Sequence, residues 1–216
     1  MTELSKVNKK EFWEDKYIQN HMPWDIGQAA PAFVKYFTRR DAINRISTPG
    51  SKKIAVLGSG RGHDAFYLAN CKEHMFDIYG FDFSDAAIDF CNELKNKNNT
   101  SNVSFHLTDF FQMVNDKKWE NYFDYVIEHT SFCAVDPKRR EEYINLIKYL
   151  LKPGGKLVGL FFMRSKELGG PPFGSTPEEI KKLFKEDFNE VEELNQAECL
   201  HSNLNGIEYF GVFEKH

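Results

Sequence analysis

From residue 53 onward, short apolar runs alternate with longer segments in which apolar residues recur every three or four positions. Short runs read as strands, and the longer recurrence reads as helices with one buried face. Residues 53–57 form the first run and lead into a glycine-rich turn, after which a helix is expected over residues 63–69. Residues 76–81 run up to Asp82, and Ser84 then stands where an N-cap belongs, ahead of a helix carrying Ala87, Cys91 and Leu94 on one face. Residues 103–107 end at Asp109, and 123–127 form a fourth run followed by Glu128 and His129. Asp136-Pro137 predicts a helix start, with Ile144, Ile147 and Leu151 as its stripe and Pro153-Gly154-Gly155 as its stop. Residues 157–163 are continuously apolar, as expected of a strand covered on both faces.

The two ends break this rhythm. Before residue 50 the chain reads as helical, with Phe33, Phe37, Ile43 and Ile46 at roughly helical spacing and Pro49-Gly50 as terminator. Near the other end, Thr176-Pro177-Glu178-Glu179 is a capping box with proline at the first helical position. Two strands follow, near 191–196 and 206–213, with no helix between them. The expected architecture is α/β: a doubly wound, mostly parallel, seven-stranded Rossmann-like sheet with helices on both faces. It forms one domain over residues 1–216, divided into a helical N-terminal lid region (1–50) and an α/β core (51–216).

Composition narrows the partners. The chain has 216 residues and a formal net charge of −4, with lysines interleaved among acidic residues, which argues against a nucleic-acid surface. No run approaches the roughly 18 apolar residues of a membrane span, and Met1 to Lys10 is polar, unlike a signal peptide. Cys71, Cys91, Cys133 and Cys199 are scattered without zinc or disulfide spacing, so they read as reduced, mostly buried thiols of a cytoplasmic protein. No metal is expected, and His63-Asp64 reads as a helix-start feature. A small-molecule partner is the expectation, with the protein a monomer or weak dimer. The 20 Phe, 9 Tyr and 3 Trp suffice for a core and for rings lining a pocket.

In an open α/β sheet the ligand lies beyond the carboxyl ends of the strands. Gly58-Ser59-Gly60-Arg61-Gly62 sits at such an end, where glycine permits a tight turn and a helix start offers amides to a ligand carboxylate. Asp82 can accept from ribose hydroxyls, Asp109 can accept from an adenine amino group, and Phe110 can pack on the base. The spacing differs from the G-x-G-x-x-G of dinucleotide sites, and no Gly-Lys-Ser/Thr of a P-loop follows.

Over nearly its whole length the chain resembles the thiopurine methyltransferase-like class of methyltransferases, and within it the thiol, thiocyanate and halide methyltransferases of plants. The resemblance rests on Phe12-Trp13-Glu14-Asp15-Lys16-Tyr17, Pro23-Trp24-Asp25-Ile26-Gly27, Gly58-Ser59-Gly60-Arg61-Gly62-His63-Asp64, Phe132-Cys133-Ala134-Val135-Asp136-Pro137, Leu151-Lys152-Pro153-Gly154-Gly155 and Gly169-Gly170-Pro171-Pro172-Phe173. It implies S-adenosyl-L-methionine as cofactor. Trp13, Tyr17 and Trp24 would close over it. Gly58, Gly60 and Asp82 would hold its methionine and ribose parts, Asp109 and Phe110 its adenine, and His129 would add a contact. Trp24, Phe132 and Phe173 would wall the reacting methyl group. Phe173, His129 and Ser131 depart from the residues usual in the plant members.

The activity so implied is methyl transfer to a small soft nucleophile: a thiol, thiocyanate, hydrosulfide or halide. An already ionised acceptor needs no strong base, whereas a thiol, with a pKa near ~8.5, could use His129. A thiopurine-like, selenium or tellurium acceptor stays open, as does a catalytically silent cofactor-binding protein. The Asn/Asp-Pro-Pro-Tyr of nucleic-acid amino methylation is absent where Glu128-His129-Thr130-Ser131 stands.

Overall fold

The computed structural model describes residues 6–39, 51–71, 75–201, 204 and 206–216. The expected helical continuation through Ile43 and Ile46 to Pro49-Gly50 lies outside the described residues. Seven strands form one sheet: β1 (Lys52–Leu57), β2 (Phe76–Asp82), β3 (Val103–Leu107), β4 (Phe123–His129), β5 (Leu151–Met163), β6 (Phe188–Gln196) and β7 (Ile207–Lys215). Their order is β3-β2-β1-β4-β5-β7-β6. The first five pair in parallel, and β7 inserts antiparallel between β5 and β6. The hairpin ending predicted from the missing last helix is therefore present.

Six α-helices accompany the sheet among the described residues: α1 (Lys10–Ile18), α2 (Pro31–Phe37), α3 (His63–Ala69), α4 (Asp85–Asn98), α5 (Arg140–Leu150) and α6 (Pro177–Phe184). Alternation along the strands divides the core into two layers. Ile54 and Val56 pack with Phe33, Phe37, Ala65 and Leu68 of α2 and α3. Ala55 and Leu57 pack with Tyr143, Ile147 and Phe184 of α5 and α6. Burial on both faces explains why the parallel strands read as unbroken apolar runs.

The caps follow the sequence closely. Ser84 accepts from Ala87 N, and Thr176 and Glu179 close a reciprocal capping box. Two boundaries differ from expectation. Asp136 caps a 3₁₀ turn over Pro137–Arg139 before α5 begins, and Leu151 is the first residue of β5 rather than the last of the helical stripe. The helix stops there because Leu151 turns extended and pairs with Phe123 of β4, after which residues 152–155 bulge before pairing resumes at Lys156. None of the four cysteines is in a disulfide. Cys91 and Cys133 are buried, but Cys71 and Cys199 are only half-buried. Among the described residues no helix is long and apolar enough to cross a membrane.

Candidate active site

The carboxyl ends of β1, β2 and β4 open onto a cavity of about 450 Å³. Parallel strands place their C-terminal ends together, so the turns that follow them converge on one crevice. After β1 the backbone enters the left-handed region at Gly58 (φ +59°) and Gly60 (φ +52°). Space as well as φ demands glycine here. A Cβ on Gly58 would lie 2.3 Å from Ser131 Oγ, and one on Gly60 would lie 3.0 Å from the Tyr17 hydroxyl.

Asp82, only 6% exposed, ends β2 beneath this turn. Its Oδ2 accepts from Gly60 N at 2.9 Å and its Oδ1 from Ser84 N at 3.0 Å. Burial pushes its carboxyl upward, while the amides of Ser84 and Gly60 pull it back. Asp109 Oδ1 accepts from Phe111 N at 3.0 Å, starting the 3₁₀ turn over Phe110–Asn115. Both carboxylates thus close local turns, and both also border the cavity, where a carboxylate oxygen keeps further acceptor capacity. Ser59 Oγ, which borders the same space, is buried without a hydrogen-bond partner. A hydroxylated, nitrogen-rich ligand fits this set of acceptors and the glycine cradle.

The N-terminal segment roofs the cavity. Trp24 meets Trp13 edge-on at 5.5 Å and Tyr17 at 6.1 Å between ring centres. Burial, then the charge of Asp82, hold the Tyr17 phenol well above its usual value, so it stays protonated over Gly60. Two carboxylates missed in the sequence pin this roof. Glu14 accepts from Ser84 Oγ at 2.6 Å and from Ala86 N. Asp25 pairs with His63 Nε2 at 2.9 Å and faces Arg61 at 3.6 Å. An acidic residue on a surface helix normally reads as solvent-facing, and the partners of Glu14 and Asp25 lie 70 and 38 residues away in the chain.

His129 ends β4 and borders the cavity, but its surroundings are those of a held group. Nδ1 pairs with Asp64 Oδ2 at 2.8 Å, and Asp64 Oδ1 accepts from Ala30 N at 2.9 Å. Burial pulls the imidazole pKa down, but Asp64 and Glu208 outweigh it and carry it up to about 10. With Nδ1 held by Asp64 and Nε2 turned to His201 and Glu208, both ring nitrogens face other side chains, which speaks against the general-base role considered from sequence. Asp64, read as a helix-start feature, is the residue that holds it.

Trp13, Tyr17, Trp24, Gly58, Gly60, Asp82, Asp109, Phe110 and His129 are brought together around one space. Phe132 and Phe173 are not. Phe132, 1% exposed, turns into the core against Phe161 at 5.7 Å and Tyr143 at 6.2 Å, with the Arg140 guanidinium 4.5 Å from its ring. The cause is Glu128, fully buried, whose Oε1 accepts from Phe132 N at 2.7 Å while Tyr143 OH donates to Oε2. Burial raises the Glu128 carboxyl to about 7 against these bonds. Phe173, 6% exposed, faces a separate groove beside α5 and α6, because its N donates to Cys133 O at 2.6 Å and Arg140 grips its carbonyl at 3.1 Å. Its neighbours Gly170, Pro171 and Pro172 border the cavity instead.

The chain resembles known methyltransferases over most of its length. The family model for thiopurine S-methyltransferase matches residues 8–214. A probable thiol methyltransferase 2 of Arabidopsis thaliana is 28% identical over 215 residues, spanning 98% of this chain and 88% of that protein. Thiocyanate methyltransferase 1 of the same plant is 30% identical over 183 residues, spanning 83% and 74%. A thiopurine S-methyltransferase of Vibrio atlanticus is 28% identical over 189 residues, spanning 82% of each. Among solved structures, Burkholderia thailandensis 1,6-didemethyltoxoflavin-N1-methyltransferase, with bound S-adenosylhomocysteine, shares the fold at a TM-score of 0.71 and 17% identity, covering 99% and 89%. Synechocystis magnesium protoporphyrin IX methyltransferase, with bound S-adenosylmethionine, shares it at 0.69 and 11%, covering 98% and 97%. On its matched length, its fold and its glycine-turn cavity, this chain belongs to the thiopurine S-methyltransferase family of S-adenosylmethionine-dependent methyltransferases.

Proposed function

We propose that the acceptor is a small, soft, polarisable nucleophile, such as hydrosulfide, a small thiol, thiocyanate or a halide. The observation carrying this reading is the state of His129. With Nδ1 on Asp64 and two carboxylates about it, it offers no base, which suits an acceptor that arrives ionised. The relatives bearing thiol and thiocyanate methyltransferase names point the same way.

S-adenosylmethionine supplies an electrophilic methyl group on a sulfonium centre. The turn around Gly58 and Gly60 would receive its methionine part, Asp82 its ribose hydroxyls, and Asp109 with Phe110 its adenine. A space of about 450 Å³ lies low in the range of small-molecule sites. A nucleoside held there leaves little volume for an acceptor. Alignment of donor and acceptor supplies roughly 7–11 kcal/mol of the barrier reduction. The faces of Trp13, Tyr17 and Trp24 favour a sulfonium cation by ~0.5–2 kcal/mol per well-placed ring and keep water off the anion. Residues 7–28 act in this reading as a lid, pinned by Glu14 and Asp25, whereas Phe33 and Phe37 further along belong to the core. We take the enzyme to work in the cytoplasm as a monomer or weak dimer, without nucleic acid.

The test is an acceptor series of increasing size, from hydrosulfide through alkyl thiols to an aromatic thiol and a thiopurine, with S-adenosylhomocysteine quantified. Turnover should fall as the acceptor outgrows the space. Preference for the thiopurine would overturn the reading.

A further inference from the structure

Behind His129, on the side away from Asp64, three polar atoms from distant parts of the chain face one another. They are His129 Nε2 at the end of β4, His201 Nε2 in the loop before β7, and Glu208 Oε1 within β7. Their separations are 3.5 Å (His129 to His201), 3.6 Å (His129 to Glu208) and 3.4 Å (His201 to Glu208). His201 is 1% exposed and Glu208 2%. Glu208 Oε1 meets no donor in hydrogen-bond geometry, its neighbours being the two imidazoles at 3.4 and 3.6 Å. A buried, unsatisfied carboxylate oxygen is costly, and a charged one more so.

We propose that His129 Nε2, His201 Nε2 and Glu208 Oε1 form a binding site for one divalent transition-metal ion of the zinc class, with Asp64 orienting His129 from its far side. The size of the triangle fits. An ion equidistant from atoms separated by 3.4, 3.5 and 3.6 Å lies no closer than about 2.0 Å to each, and at about 2.1 Å, a zinc–imidazole or zinc–carboxylate bond length, it sits just out of their plane with a fourth position open. The donor set also fits, since two imidazoles and one carboxylate with an open position is a recurrent reactive-metal arrangement. The Asp64–His129 hydrogen bond is the carboxylate behind a ligating imidazole that fixes its tautomer and raises its basicity. Charge balances as well. Asp64 and Glu208 bring two carboxylates into a buried place, and a divalent ion that takes the place of the His129 proton neutralises both.

His129 borders the main cavity, and His201 and Glu208 lie buried behind it. The site stands independently of the proposed acceptor reading.

The experiment titrates tag-free, chelator-treated protein with Co²⁺, reading visible d–d absorption, and then displaces it with Zn²⁺. No donor or acceptor is added, so failure of the acceptor reading leaves the result untouched. One equivalent of Co²⁺ should bind with a tetrahedral-type spectrum that Zn²⁺ abolishes. Glu208→Gln and His201→Ala should each weaken binding at least ~100-fold, and Asp64→Asn about 10–100-fold. His216→Ala should leave it unchanged. As a readout independent of variant folding, Zn²⁺ should raise the Tm of the wild-type protein. No Co²⁺ spectrum and no Zn²⁺-induced Tm shift would overturn the proposal, as would affinity unchanged in a folded Glu208→Gln variant.

Discussion

Glu14, on the first helix, accepts a hydrogen bond from the Ser84 hydroxyl at 2.6 Å, so the helix bearing Trp13 and Tyr17 is fastened directly to the cap of α4 beside Asp82. The same carboxylate also takes the Ala86 amide, and Lys10 pairs with Asp85 on the same side. Ser84 thus links the roof to Asp82, since its hydroxyl donates to Glu14 while its amide donates to Asp82. Glu14→Ala removes a charged acceptor, a change of about 1.5–3 kcal/mol. Affinity for S-adenosylhomocysteine, read by calorimetry, should drop roughly tenfold or more while the melting temperature of the core moves little.

Asp82 joins the glycine turn to the second strand through Gly60 N and Ser84 N. Asp82→Ala should weaken S-adenosylmethionine binding at least tenfold, with Asp82→Asn falling between it and wild type. Near-wild-type affinity in Asp82→Ala would refute a ribose-holding role.

Phe173 tests the corrected geometry. Its ring faces the groove beside α5 and α6, away from the cavity. Phe173→Leu should lower stability by about 1–2 kcal/mol in a denaturant titration, while ratios of turnover among acceptors stay as in wild type. A reordered acceptor ranking would return this residue to the methyl-transfer site.

Tyr143 carries the turn after β4 indirectly. Its hydroxyl donates to Glu128, which in turn takes the Phe132 amide. Tyr143→Phe leaves a fully buried carboxylate with one donor fewer and should cost about 1–3 kcal/mol of stability. An unchanged unfolding midpoint would mean that this bond contributes nothing net.

How far the sequence reached follows from what each signal depends on. Strand and helix periodicity is local, and so are caps such as Ser84 and Thr176, which the structure shows as expected. The glycine turn and the acidic strand ends were legible because a parallel sheet gathers strand termini wherever the intervening helices run. The direction of Phe132 was not legible, because a buried glutamate four residues earlier turns its backbone. Nor were the partnerships of Glu14, Asp25 and Asp64, each of which spans 34 or more residues. The grouping of His129 with His201 and Glu208 depends on β7 inserting beside β5 and has no spacing signature at all.

The most direct measurement of the central claim is headspace gas chromatography of purified protein with S-adenosylmethionine and, in turn, iodide, bromide, thiocyanate, hydrosulfide and an aromatic thiol. The account predicts a volatile methylated product from the small soft acceptors, matched mole for mole by S-adenosylhomocysteine and reduced in the Asp82→Ala variant. Cofactor binding without a methylated product from any of them would contradict it.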